Sequence, residues 1–243
     1  MRKRSVKGWT QDDVRWQMDM AGYAGNDLYS RLQERLLPLL GDTRHLCEIG
    51  CGVGNLTLRL AERLEKITAV DKGELPMQQL FQSLLDARLR NVDTVQMDFK
   101  KLVFADQPPD MTLLHADCLT PGDIEFVRKK SRRLILMLDT SRTWPPYPGE
   151  LSAGEMKLKL ILEQLAARHI HPRQIHVAGR ADQPVVSRQD ALAYCLQCAP
   201  KRSRKLLREF VEEYMAEAEG DDHFFVLPRE RIYTLLDLQS SER

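Results

Sequence analysis

Residues 45–55 read His45-Leu46-Cys47-Glu48-Ile49-Gly50-Cys51-Gly52-Val53-Gly54-Asn55. Three glycines at alternate positions after an apolar run suit a turn whose backbone a ligand must approach within contact distance, because a Cβ there would collide with it. A helix starting at once offers the ligand its unpaired first-turn N–H groups. A dinucleotide site wants Gly-x-Gly-x-x-Gly. Gly50 and Gly52 satisfy it, but Asn55 stands where the third glycine belongs, and Gly54 comes one residue early. Glu48 puts a carboxylate two residues before the first glycine, which suits a cationic ligand better than a pyrophosphate.

Further acids close later apolar runs. Asp71 follows Ala69-Val70, 21 residues after Gly50, with Lys72 next. Asp98-Phe99 follows Val95-Gln96-Met97, and Leu114-His115-Ala116 leads to Asp117. His115 is the best-placed general base, and Asp117 can orient an acceptor; a hydrogen-bonded structural histidine and a helix-capping acid are the competing readings. His169 and His171 fall where a helix ends before Pro172 and read as surface residues.

These residues need strands to aim them. Asn26 can cap a helix carrying Leu28, Leu32 and Leu36, with Pro38 and Gly41 ending it. Strands are expected at 44–49, 66–70, 93–96, 111–115, 134–138 and 174–178, separated by helical patterns. Thr120-Pro121-Gly122-Asp123 and Ser152-Ala153-Gly154-Glu155 are helix starts. Helices at 188–197 and 202–218 precede strands at 224–227 and 231–238, whose short connection implies that they run antiparallel to each other. Residues 1–25 read as irregular. This alternation predicts an α/β fold: a doubly wound, mostly parallel seven-stranded sheet with an antiparallel terminal strand, in a single domain spanning 1–243. Residues 1–41 form its N-terminal helical cap.

The glycine turn and the ordered acids resemble the motifs of the class I S-adenosylmethionine-dependent methyltransferases, a Rossmann-like fold. The resemblance runs over roughly residues 26–240. It implies a cofactor site of Glu48, Gly50, Cys51, Gly52, Gly54, Asn55, Asp71, Lys72, Asp98, Phe99 and His115. Asp71 would take the ribose hydroxyls and Asp98 the adenine amino group. The cofactor implied is S-adenosyl-L-methionine, with S-adenosyl-L-homocysteine as product. His115 or Asp117 would be the base. The segment before the first strand would act as a lid, so that Tyr23 and Tyr29, with Trp144 and Tyr147 after the fifth strand, become candidates for the acceptor pocket. The expected reaction is methyl transfer to a small-molecule nucleophile. An RNA or protein acceptor, or a binding module without turnover, is the alternative; a nicotinamide oxidoreductase fits least.

Composition narrows the partners. Across 243 residues, 36 Lys and Arg face 35 Asp and Glu, a net charge of +1 that argues against general phosphate-backbone binding. The basic runs 128–133 and 201–205 read as solvated faces at helix ends. The sequence contains no apolar stretch long enough for a membrane span and no apolar segment behind its basic N-terminus, so a cytoplasmic location is expected. The cysteine count of five is odd, and Cys195 and Cys198 form a lone C-x-x-C without the second pair a zinc site needs, so reduced thiols are expected.

Overall fold

The computed structural model describes residues 8–103, 108–116, 120–142, 144–145, 152–218 and 225–239. Two helices lead, α1 (Gln11–Gly22) and α2 (Leu28–Leu40). Then come β1 (His45–Ile49), α3 (Asn55–Ala61), β2 (Lys66–Asp71), α4 (Glu74–Asp86), β3 (Val92–Gln96), a 3-10 turn (Phe99–Lys101) and β4 (Met111–His115). Next are α5 (Pro121–Arg128), β5 (Arg133–Asp139), α6 (Ala153–Ala166) and β6 (Arg173–Arg180). The chain closes with β7 (Gln183–Val185), α7 (Arg188–Cys198), α8 (Arg204–Tyr214), β8 (Ala216–Glu217), β9 (Phe225–Leu227) and β10 (Glu230–Gln239).

Seven strands form one sheet in the order β3-β2-β1-β4-β5-β10-β6. Strand β10 is antiparallel to both β5 and β6, and the others run parallel, so the doubly wound mixed sheet expected from sequence is the fold observed. The strand sequences explain why both faces are covered. Side chains alternate sides along a strand, and here both alternations are apolar, as parallel sheets require. On β5, Ile135 and Met137 pack with Leu32, Leu56 and Leu80 of α2, α3 and α4. Its intervening Leu134, Leu136 and Leu138 pack with Ile124 of α5 and Ile161 of α6. Each such fully buried leucine stabilises the fold by roughly 1.5–3 kcal/mol.

The structure departs from the sequence reading at four places. Residues 11–22 are helical rather than irregular: Thr10 and Asp13 cap each other reciprocally, while only Trp16 and Met20 are buried, which leaves too weak an apolar stripe to read. Helix α2 runs through Pro38 to Leu40, because Leu39 and Leu40 bury against the core. Its N-cap is Asp27; Asn26 instead donates to the carbonyls of Met20 and Asp182 and accepts from the Asp182 N–H. Finally, β9 does not pair with β10. It joins β7 and β8 in a separate three-stranded sheet. The connection is pinned sideways: the Arg229 N–H donates to Asp182 Oδ1 at 2.7 Å, and its carbonyl accepts from the Ala181 N–H at 2.8 Å. Pulled outward, β9 packs with α7 and α8 on a third cluster containing Trp16, Tyr194, Leu207 and Phe210. No described helix is long and apolar enough to cross a membrane.

Candidate cofactor site

Because β1, β2, β4 and β5 are parallel, their carboxyl ends fall along one edge of the sheet, where ligands bind in open α/β folds. The glycine turn sits there between β1 and α3. Gly50, Gly52 and Gly54 have φ of +80°, +56° and +80°, left-handed values that a side chain strains against. The space around each differs. A Cβ on Gly54 would lie 2.2 Å from Leu80 Cδ1, and one on Gly50 would lie 3.1 Å from His115 Cβ. Those two glycines are required by the protein's own packing. Gly52 faces the indole of Trp9, with Cζ2 3.3 Å from the position a Cβ would take.

Glu48 is fully buried on β1. Its Oε2 accepts from the Thr57 hydroxyl at 2.6 Å, and its Oε1 lies 2.9 Å from His115 Nε2. Both oxygens are thus engaged inside the protein. The carboxylate braces α3 and the end of β4 against β1, beneath the glycine turn. His115 retains Nδ1 for any proton transfer, since Nε2 is committed to Glu48.

Asp71 ends β2 and is partly exposed. Its Oδ2 accepts the Gly52 N–H at 3.1 Å, and its Oδ1 accepts the Gly73 N–H at 2.8 Å. An ionised carboxylate offers about four acceptor positions. Each oxygen here uses one, so each keeps one for a ligand hydroxyl. Lys72 beside it is exposed. Asp98 is exposed, its Oδ1 accepting the Lys100 N–H at 2.9 Å, and Phe99 packs edge-on to Phe126 at 6.2 Å. Cys51 is buried and 3.7 Å from Met77 Sδ, and burial pushes its thiol well up.

The structure brings Tyr29 to the glycine turn: Asn55 Nδ2, at the start of α3, donates to the Tyr29 hydroxyl and to the Gln17 carbonyl, both at 3.3 Å. Tyr23 lies elsewhere, at the end of α1 with its ring over Gly25. Trp144 belongs to the third cluster, 5.5 Å from Tyr194 and 5.3 Å from Phe210 between ring centres. Asp117 and Tyr147 lie outside the described residues, as does Cys118.

Two groups at this edge escaped the sequence reading. Trp9 is one. The other is Asp139, ending β5, which accepts from the Arg231 guanidinium of β10 and from the Ser141 hydroxyl and N–H. Burial pushes Asp139 up, but Arg231 and Ser141 outweigh it and hold the carboxyl below its ordinary range. The signal for Asp139 was in the sequence: like Asp71, it closes an apolar strand. Nothing local marks Arg231 as its partner, 92 positions away.

Residues 46–135 match the family described as a methyltransferase domain. The probable ribosomal RNA small subunit methyltransferase A of Methanosphaera stadtmanae is 26% identical over 96 residues, which are 40% of this chain and 35% of that protein. The chain therefore spans about a third of that relative's length. Among solved structures, a SAM-dependent methyltransferase from Aquifex aeolicus superposes with a TM-score of 0.54 at 17% identity, over 70% of this chain and 93% of the other. Geranyl diphosphate C-methyltransferase from Streptomyces coelicolor, solved with Mg2+, geranyl diphosphate and S-adenosyl-L-homocysteine, superposes with a TM-score of 0.52 at 13% identity, over 87% and 78%. At these identities the two structures speak for the fold. The family match assigns residues 46–135 to a methyltransferase domain, and the sheet order agrees with the fold of the two structures.

Proposed function

We propose that the protein binds S-adenosylmethionine at the glycine turn and transfers its methyl group to a small-molecule nucleophile. One observation carries the reading most directly. Asp71 is held by the Gly52 and Gly73 N–H groups with an acceptor position left on each oxygen, which matches the vicinal hydroxyls of a ribose. The left-handed glycines add no side chain of their own to the turn, which suits close approach of the cofactor's sugar and amino-acid portion, with Trp9 alongside Gly52. When bound, the cofactor supplies a methyl already activated by a sulfonium. The chain's task is then placement and exclusion of water. His115, anchored through Nε2 by Glu48, can take the acceptor's proton at Nδ1, and Asp117 is the other candidate base.

A small acceptor is favoured over RNA by where the basic run 128–133 lies. Arg133 begins β5, so residues 128–133 sit at the edge of the sheet opposite the glycine turn. They are also largely neutralised within the protein: Arg128 pairs with Glu125, Arg132 with Asp110 and Arg133 with Asp237. The RNA reading is supported by the ribosomal RNA methyltransferase relative. Calorimetry with S-adenosylhomocysteine tests the shared premise. Binding near about micromolar is expected, abolished by Gly52→Arg and weakened at least about tenfold by Asp71→Ala; absence of binding to the unaltered protein refutes the proposal. An affinity for RNA that falls steeply with salt would move the acceptor to nucleic acid.

A further inference from the structure

Trp9 is absent from every catalytic motif the sequence displays, yet it lies against the site. Its indole spans the two glycines that flank Asp71. The six-membered edge is 3.3 Å (Cζ2) and 3.4 Å (Cη2) from the position of a Cβ on Gly52, and Cδ1 is 3.0 Å from that on Gly73. The ring therefore occupies room left by both missing side chains, directly beside the carboxylate assigned to the ribose.

The other two tryptophans are accounted for by folding. Trp16 and Trp144 belong to the third hydrophobic cluster, and their indole N–H groups donate to Asp190 and to the Pro228 carbonyl. Trp9 belongs to none of the three clusters, is only half-buried, and its N–H has no hydrogen-bond partner among the described residues. The helix that follows it is anchored. Thr10 and Asp13 cap α1 immediately after it, Gln197 donates to Asp13 at 2.7 Å, and Arg15 and Trp16 fix the helix to Asp190. An aromatic face and an unpaired donor, set against the two glycines that donate to Asp71, form a surface suited to a nucleoside.

We propose that Trp9 is a ligand-contacting wall of the nucleoside site, its indole lying against the bound nucleoside and closing the cleft over Asp71. The inference rests on the cofactor reading above. A purely local role is also available to Trp9: as the apolar residue before the helix cap it can pack on Val14, four positions into α1. The two roles separate by substitution, because leucine preserves that packing and removes the aromatic surface.

The test titrates S-adenosylhomocysteine into the unaltered protein, Trp9→Leu and Trp9→Phe, following heat and tryptophan emission, with melting midpoints measured alongside. Stacking on an aromatic residue predicts roughly a tenfold loss of affinity in Trp9→Leu, with the melting midpoint unmoved. Trp9→Phe keeps most of the affinity, and the ligand-induced emission change of the unaltered protein disappears in it. Affinity of Trp9→Leu within twofold of the unaltered protein overturns the role of Trp9 and leaves the cofactor reading standing. Tighter binding to Trp9→Leu also overturns it, since the indole would then obstruct the site. Failure of the unaltered protein to bind refutes the cofactor reading and this role with it.

Discussion

Glu48 offers the sharpest test of how the site is built. As a carboxylate preceding the glycine turn it suggests a group that meets a cationic ligand. In the structure it is a fully buried brace with both oxygens engaged, by Thr57 at 2.6 Å and His115 at 2.9 Å. Glu48→Ala should therefore cost stability before it costs anything else. It leaves the fully buried Thr57 hydroxyl without a partner, and His115 Nε2, on a ring 22% exposed, without its acceptor, at up to about 1–3 kcal/mol each. The emptied space adds to this, for a total of about 3–5 kcal/mol, the range expected when one side of a buried polar pair is removed. At about 2–4 °C per kcal/mol for a chain of this size, the melting midpoint falls by roughly 6–20 °C. Glu48→Gln should lose much less, because its amide can accept from one neighbour and donate to the Thr57 hydroxyl. Asp71→Ala provides the contrast: its carboxylate is partly exposed, so binding should suffer more than stability. Denaturant and thermal melts, read beside S-adenosylhomocysteine titration, check all three variants. A Glu48→Ala protein within about 1 kcal/mol of the original would refute the bracing role and return Glu48 to the ligand.

Two further outcomes follow from the titration of buried groups. Asp139 is held below the ordinary carboxylate range by Arg231 and Ser141 against the upward push of burial, so its contribution is complete above the unfolded-state value and is lost as pH falls through the depressed one. Asp139→Asn should therefore destabilise the protein near neutrality and flatten the loss of stability on acidification, measured by denaturant melts at several pH values; an unchanged acid limb contradicts this. Among the described cysteines, burial pushes Cys47 and Cys195 up to about 12 and Cys51 well up, whereas Cys198 is exposed. Brief alkylation of the native protein near pH 8 followed by peptide mass mapping should find Cys198 modified and these three protected; labelling of Cys51 ahead of Cys198 would show that the glycine turn opens.

Local sequence determined the repeating part of this protein. Strands of five to seven residues, one carrying Glu48 next to its end and three ending in Asp71, His115 and Asp139, put chemistry at one edge of the sheet. The alternate glycines fixed the turn, because only glycine relieves both the left-handed backbone and the approach of Leu80 and His115. What depended on distant partners stayed invisible. Helix α1 lacks an apolar stripe and is held by its cap and by Asp190. Strand β9 left β10 because Asp182 captures the turn between them across 47 positions. Glu48 is a brace only once Thr57 and His115 close on it from α3 and β4. Arg231 reaches Asp139 because antiparallel pairing sets β10 beside β5. Trp9 comes to the glycine turn only because the fold lays it across two glycines 21 residues apart. Periodicity records which face of an element is buried, whereas the partners of a polar group are chosen by the fold that brings them within hydrogen-bonding reach.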